Sequence, residues 1–247
     1  MTSETLHMDS RGSGDEPVLF LHSFAGDSTH WAPVLEALAP KRRVVAFDFS
    51  GHGLSPAARG KYSIRRLAAD VLTVANSQNL ESFVLVGHSM GALVAAEFAA
   101  AGPQRVRKLI LVDPPPGPGA MPPEVLRQTH AAVAADPYAA AENFWKQSAF
   151  VGSRPETERR LLTALRKMAR NAAAELTDDS LNYDARVTLR DYPGPKFAIV
   201  SSANDTPQSL HNVVPDIEYA VIPGTGHWIH LDRPNEFIAV LERLLRR

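Results

Sequence analysis

The stretch Val84-Leu85-Val86-Gly87-His88-Ser89-Met90-Gly91-Ala92 decides how the rest of the chain is read. Its apolar, β-branched start predicts a buried strand, and the Ala-rich run at 93–101 predicts a helix. Between them, Gly-X-Ser-X-Gly puts a serine hydroxyl at the apex of a sharp strand-to-helix turn. Such a turn is strained and needs small flanking residues, which Gly87 and Gly91 supply. The helix N-terminus then lies beneath the serine. Its amides without intrahelical partners can face a developing negative charge. The same residues also fit an ordinary helix start, so their surroundings carry the weight.

Working outward, residues 18–22 and 44–47 are continuous apolar runs, as expected of strands covered on both faces. Residues 5–9 read as a short edge strand. Asp27 or Ser28 can cap a helix reaching about Leu38, and Ser63 caps one with Ile64, Leu67, Val71 and Ala75 at helical period. Further strands are expected at 109–112, 196–200 and 217–222, with a last helix at 234–245. This alternation predicts an α/β fold with a mostly parallel central sheet flanked by helices. In such sheets ligands bind beyond the carboxyl ends of the strands, where His22, Asp48, Ser89 and Asp113 all fall. The alternation breaks at the Pro/Gly run 114–119, which can be neither helix nor inner strand. From about Pro122 to Ala174 the chain reads as successive helices. Residues 114–183 are therefore expected to form a helical insertion covering the serine.

The length of 247 residues suits one larger α/β domain, alone or with an insertion. Lys and Arg (26) nearly balance Asp and Glu (27), and no basic block stands out. That argues against nucleic acid or an anionic membrane surface as partner. With no cysteine, disulfides, thiolate metal sites and thiol catalysis are excluded. The first 14 residues are polar and acidic, and no run approaches the roughly 20 apolar residues that span a bilayer. The expected location is the cytoplasm.

A serine hydroxyl is nearly inert at neutral pH and needs a base, itself oriented by a third group. Of nine histidines, His227 is the best candidate, in a Gly-flanked loop between the last strand and the last helix. His230 is assigned a structural role at that helix's start. His7, His130 and His211 read as surface or satisfied core residues, and His52 as local packing. His88, adjacent to Ser89, should point away from it. For the acid, Asp205 beyond the strand at 196–200 is favoured, with Asp113 geometrically possible too. Asp48 is expected to bind turn amides. The oxyanion of a tetrahedral intermediate needs donors already in place: the Met90 amide, and that of Phe24 in the loop after the first inner strand.

With these residues quoted, the chain resembles an α/β-hydrolase-fold protein, and in particular small capped serine esterases and lactonases. The matching pieces are Leu21-His22-Ser23-Phe24-Ala25-Gly26, Asp48-Phe49-Ser50-Gly51-His52-Gly53-Leu54-Ser55, Gly87-His88-Ser89-Met90-Gly91 and Gly224-Thr225-Gly226-His227. The resemblance implies a core domain of 1–113 and 184–247, a helical cap of 114–183, a Ser89–Asp205–His227 triad and an oxyanion hole from Phe24 and Met90. The chain departs from the family in Ser23, where the usual pattern is His-Gly, and in the short stretch between Asp205 and the last strand. Serine rather than aspartate at 89 argues against the family's haloalkane dehalogenases and epoxide hydrolases, which attack through a carboxylate.

The expected chemistry is acyl transfer to water from a small, fairly apolar carboxylic ester, with lactones as a further substrate. Ser23, Trp145 and Trp228 are expected to line the pocket, with Phe24, Met121, Tyr138, Phe144 and Phe150 as further wall candidates. No metal cluster or phosphate loop appears in the sequence, and no cofactor is implied. The same triad would also support carbon–carbon bond hydrolysis, perhydrolysis or a slow-turnover ligand receptor.

Overall fold

The computed structural model describes residues 5–247; residues 1–4, where the expected core domain begins, lie outside the described residues. Seven strands make one sheet: β1 (Met8–Arg11), β2 (Val18–Leu21), β3 (Val44–Phe47), β4 (Phe83–His88), β5 (Val106–Val112), β6 (Lys196–Ser201) and β7 (Ile217–Ile222). Their spatial order is β1-β3-β2-β4-β5-β6-β7. Only β1 is antiparallel, paired with β3; every other pairing is parallel. The edge strand expected at 5–9 thus forms a little later and takes in Arg11, which pairs with Val44.

The helices of the core are α1 (Ala32–Leu38), α2 (Ile64–Ser77) and α3 (Met90–Ala101). Between β5 and β6 follow α4 (Pro123–Ala135), α5 (Pro137–Phe144), α6 (Pro155–Leu165), α7 (Arg170–Asn182) and α8 (Ala185–Asp191). Short α9 (Leu210–Val213) and α10 (Ile229–Asp232) precede the long α11 (Pro234–Leu245). Among the described residues no helix is long and apolar enough to cross a membrane.

The uninterrupted apolar strands follow from a sheet covered on both sides. Leu19, Leu21, Leu85, Leu109 and Leu111 pack into the cluster that holds α2 and α3. Their neighbours Val18, Phe20, Val84, Val86, Ile110 and Val112 pack into the cluster holding α1 and α11. Each such side chain removed from water contributes about 1.5–3 kcal/mol. The helical caps match the sequence: Asp27 accepts from Thr29 N at 2.9 Å and Ser63 from Arg66 N at 3.1 Å.

Helices α4 to α7 do not cover the sheet. Trp145, Leu161, Leu165, Met168 and Leu176 extend the α2/α3 cluster instead. Two carboxylates of α7 bind the start of α2: Glu175 accepts from Tyr62 N and Asp179 from Ile64 N, both at 2.7 Å. Negative groups there satisfy amides that lack helical partners. Helix α8 packs on α3.

Candidate active site

Ser89 is the single residue between β4 and α3, at φ 54° and ψ −118°. A positive φ is uncommon for any residue but glycine, so tertiary packing must enforce it. The packing is visible at its neighbours. A Cβ on Gly91 would lie 2.5 Å from the His22 carbonyl oxygen, and one on Gly87 would overlap the Gly91 carbonyl. Helix α3 therefore sits against β2 and β4 more closely than any side chain allows. The Ser89 N–H donates to Val112 O at 2.9 Å. Its hydroxyl makes no capping bond to α3, which leaves Oγ unspent.

His227 meets a carboxylate, but not the one favoured from the sequence. Its Nδ1 lies 2.7 Å from Asp113 Oδ2. A carboxylate only accepts, so Nδ1 carries a proton toward Asp113, and Nε2 is the nitrogen turned away from it. Asp113 is buried at the end of β5 with φ 44°, and accepts further bonds from Ser201 N (2.6 Å) and Ser201 Oγ (3.2 Å). Asp205 instead lies 3.1 Å from His211 Nε2 and 3.4 Å from Asn212 Nδ2. The reason is position along the strands. Asp113 directly follows β5, which neighbours β4 with Val112 opposite His88. Asp205 lies beyond a 3-10 turn (Ser202–Asn204) that carries the chain away from the end of β6. Among the described residues no hydrogen bond joins Ser89 Oγ to His227. Such contacts commonly tighten only when substrate is bound.

His88 shares the parity of Val84 and Val86, and its ring lies 4.8 Å from both His227 and His230. Its Nε2–H donates to the His227 carbonyl at 2.9 Å, a role the sequence did not reveal. His230 lies on the short α10 rather than at the start of the last helix, stacked on Trp31 with ring centroids 4.2 Å apart. His22 donates from Nδ1 to Ser23 O (2.8 Å) and accepts at Nε2 from Phe49 N (3.0 Å), bracing the loop that carries Phe24. Burial pushes His22 and His30 down to about 4 and His52 to about 3. It holds His88 and His230 well below the usual imidazole value. All five are neutral at pH 7. Asp48 binds turn amides, accepting from Ser28 N (2.6 Å) and Leu54 N (2.8 Å).

Ser23 differs from expectation. It is 2% exposed, donates to Phe24 O (3.3 Å) and accepts from Trp228 Nε1 (3.2 Å), so its hydroxyl is spent on these neighbours. Trp228 (1% exposed) lies 5.1 Å from the His227 ring, and Trp145 (5% exposed) stands edge-on to Trp228 at 5.4 Å. Phe150 and Phe24 complete the cluster, 5.6 and 6.2 Å from Trp145. Other wall candidates do not join it. Phe144 is 57% exposed, and the Tyr138 hydroxyl donates to Met168 O at 2.6 Å. Trp145 opens a π-helical turn (Trp145–Ala149), a rare form often found at functional sites. The Met90 amide opens α3 and has no intrahelical partner.

A strained serine elbow and a histidine–aspartate pair, set on one rim of a seven-stranded, mostly parallel sheet, are the architecture of an alpha/beta hydrolase. The chain belongs to the alpha/beta hydrolase family, which matches residues 18–240. It is 31% identical over 242 residues to the 2-succinyl-6-hydroxy-2,4-cyclohexadiene-1-carboxylate synthase of Enterobacter sp., covering 93% of this chain and 91% of that one. Over 104 residues it is 40% identical to the dihydrolipoyllysine-residue acetyltransferase component of the acetoin cleaving system of Cupriavidus necator. That match covers 42% of this chain and 28% of the relative, so this chain corresponds to only part of that protein. Among solved structures, Est816, described as an N-acyl homoserine lactone degrading enzyme, matches with TM-score 0.83 and 26% identity over 96% of both chains.

Proposed function

We propose that the chain is a serine hydrolase of small, fairly apolar carboxylic esters, lactones included, acting through an acyl-enzyme on Ser89. The observation that carries this reading is an uncapped serine hydroxyl on a φ 54° elbow, on the strand next to the one that ends at the Asp113 partner of His227. Ser89 Oγ attacks the carbonyl carbon as His227 Nε2 takes its proton. Asp113 holds the Nδ1–H and stabilises the imidazolium. The Met90 and Phe24 amides receive the oxyanion. Nε2 then protonates the departing alkoxide, and a water repeats the sequence to release the acid.

Residues 114–183 act as a cap, with Trp145 on it and Trp228 beneath it as the apolar wall. The lactone-degrading neighbour and the family membership support a hydrolase of small molecules. The expected working environment is the cytoplasm. The test is a panel of nitrophenyl esters and lactones, with Ser89→Ala as control and a fluorophosphonate as label. Turnover and labelling that both vanish in Ser89→Ala are the expected result. A wild-type protein that neither turns over nor takes the label on short or medium acyl chains overturns it.

A further inference from the structure

The loop carrying His227 is joined to the cap by a set of bonds that the hydrolytic mechanism does not use. His227 N–H donates to Ala149 O, the last residue of the π-helical turn, at 2.9 Å. A Cβ on Gly226 would lie 2.9 Å from that same carbonyl and overlap Ser153, and one on Gly152 would lie 2.9 Å from Thr225 O. Cap segment and histidine loop thus touch backbone to backbone. Asp232, 4% exposed on α10, closes the junction with both carboxylate oxygens. Oδ1 accepts from Arg154 N (3.1 Å) and Thr157 Oγ1 (2.8 Å) on the cap side. Oδ2 accepts from Gly226 N (3.1 Å), the residue before the histidine.

We infer that Asp232 is a positioning residue that couples the seating of the cap to the placement of His227. This rests on the hydrolase reading for its consequence in catalysis, though not for the coupling itself. A buried carboxylate with three donors is a rigid node, because bonds to a charged acceptor are about twice as strong as neutral ones. Taking either donor set away leaves polar groups unpaired, and the strain reaches the other side. With the cap seated, the His227 amide and carbonyl are held by Ala149 and His88, and the imidazole is fixed over the rim. With the cap lifted, the amide loses its acceptor and Gly226 keeps only a carboxylate whose other oxygen has lost its partners. The base is assembled only beneath a closed cap.

The test uses the full chain with Thr157→Val, which removes one cap-side donor while keeping the side-chain shape, and Asp232→Asn, which puts a donor where an acceptor is needed. Amide hydrogen exchange of Gly226 and His227 is compared with that of α3, which monitors global unfolding. Thr157→Val is expected to speed exchange at 226–227 about tenfold, the scale of one lost bond to a charged group, with α3 unchanged. Asp232→Asn is expected to do more. kcat on nitrophenyl acetate and the rate of fluorophosphonate labelling should fall in parallel, with KM within about twofold. Faster exchange in 153–157 but wild-type exchange at 226–227 overturns the coupling, whatever the activity. Faster exchange at 226–227 with wild-type kcat and labelling overturns its role in positioning the base. The exchange measurement decides the coupling even if the wild type hydrolyses no ester, so the two readings fail separately.

Discussion

Replacing Asp113 by asparagine tests the site most directly. Ser201 N donates to Oδ1 at 2.6 Å, which fixes the amide oxygen there and places the new NH₂ where Oδ2 was. That group then faces His227 Nδ1, 2.7 Å away in the parent, and a donor cannot meet a donor. The imidazole answers by carrying its proton on Nε2, and the base that should take the Ser89 proton is gone. Loss of the correct tautomer in a serine triad typically costs about 10⁴-fold in kcat. At about 1.4 kcal/mol per decade this is ~5.5 kcal/mol of transition-state stabilisation. Asp205→Asn should do nothing comparable, because an asparagine oxygen still accepts from His211 Nε2, and the pair lies apart from His227. The assay is kcat/KM on nitrophenyl acetate for both variants, with circular dichroism to confirm the fold. Near-normal rates in Asp113→Asn, together with collapse in Asp205→Asn, would refute the assignment.

Three further outcomes follow from the same geometry. Gly91→Ala should unfold or severely destabilise the protein, since its Cβ meets the His22 and Leu21 carbonyls at 2.5 and 2.7 Å; a melting temperature within a few degrees of wild type would contradict this. Trp145→Ala removes a buried wall residue at a typical cost of about 3–5 kcal/mol. It should shift ester preference toward longer acyl chains, and an unaltered chain-length profile would remove Trp145 from the pocket. His22 and His30, held at about 4, and His52, at about 3, bind protons later than the unfolded chain does near 6.5. Unfolding free energy should therefore fall as pH drops below about 6.5 and keep falling toward about 4, by up to ~1.4 kcal/mol per pH unit for each histidine. Urea titrations giving a flat profile from about pH 7 to 5 would contradict that.

The parallel sheet was legible because inner strands such as Val18–Leu21 and Val44–Phe47 are buried on both faces and apolar throughout. The serine elbow was legible because its glycines answer a steric demand that leaves no alternative. The carboxylate that meets His227 was not, because Asp113 and Asp205 both lie near strand ends and sequence shows only which strand each follows. One signal was present: Asp113 ends its apolar run without a gap, whereas Asp205 stands off from its own. The bonding of Ser23 was not legible, because the partner of its hydroxyl, the Trp228 indole, is 205 residues away. The part played by Asp232 is likewise invisible before the cap is placed, since its donors Arg154 and Thr157 belong to a segment with no local reason to approach it.

The ladder beneath the site has a consequence for redesign. Ser89 N–H bonds the carbonyl of Val112, and Asp113 N–H bonds that of Ile199, so both residues are fastened to three adjacent strands. They form a fixed jig: whatever shifts one shifts the other. Asp205, Pro207 and Gln208 sit exposed outside that jig, as does Phe144 at the end of α5. A library that varies those surfaces and leaves the ends of β4, β5 and β6 untouched keeps Ser89 and Asp113 in register.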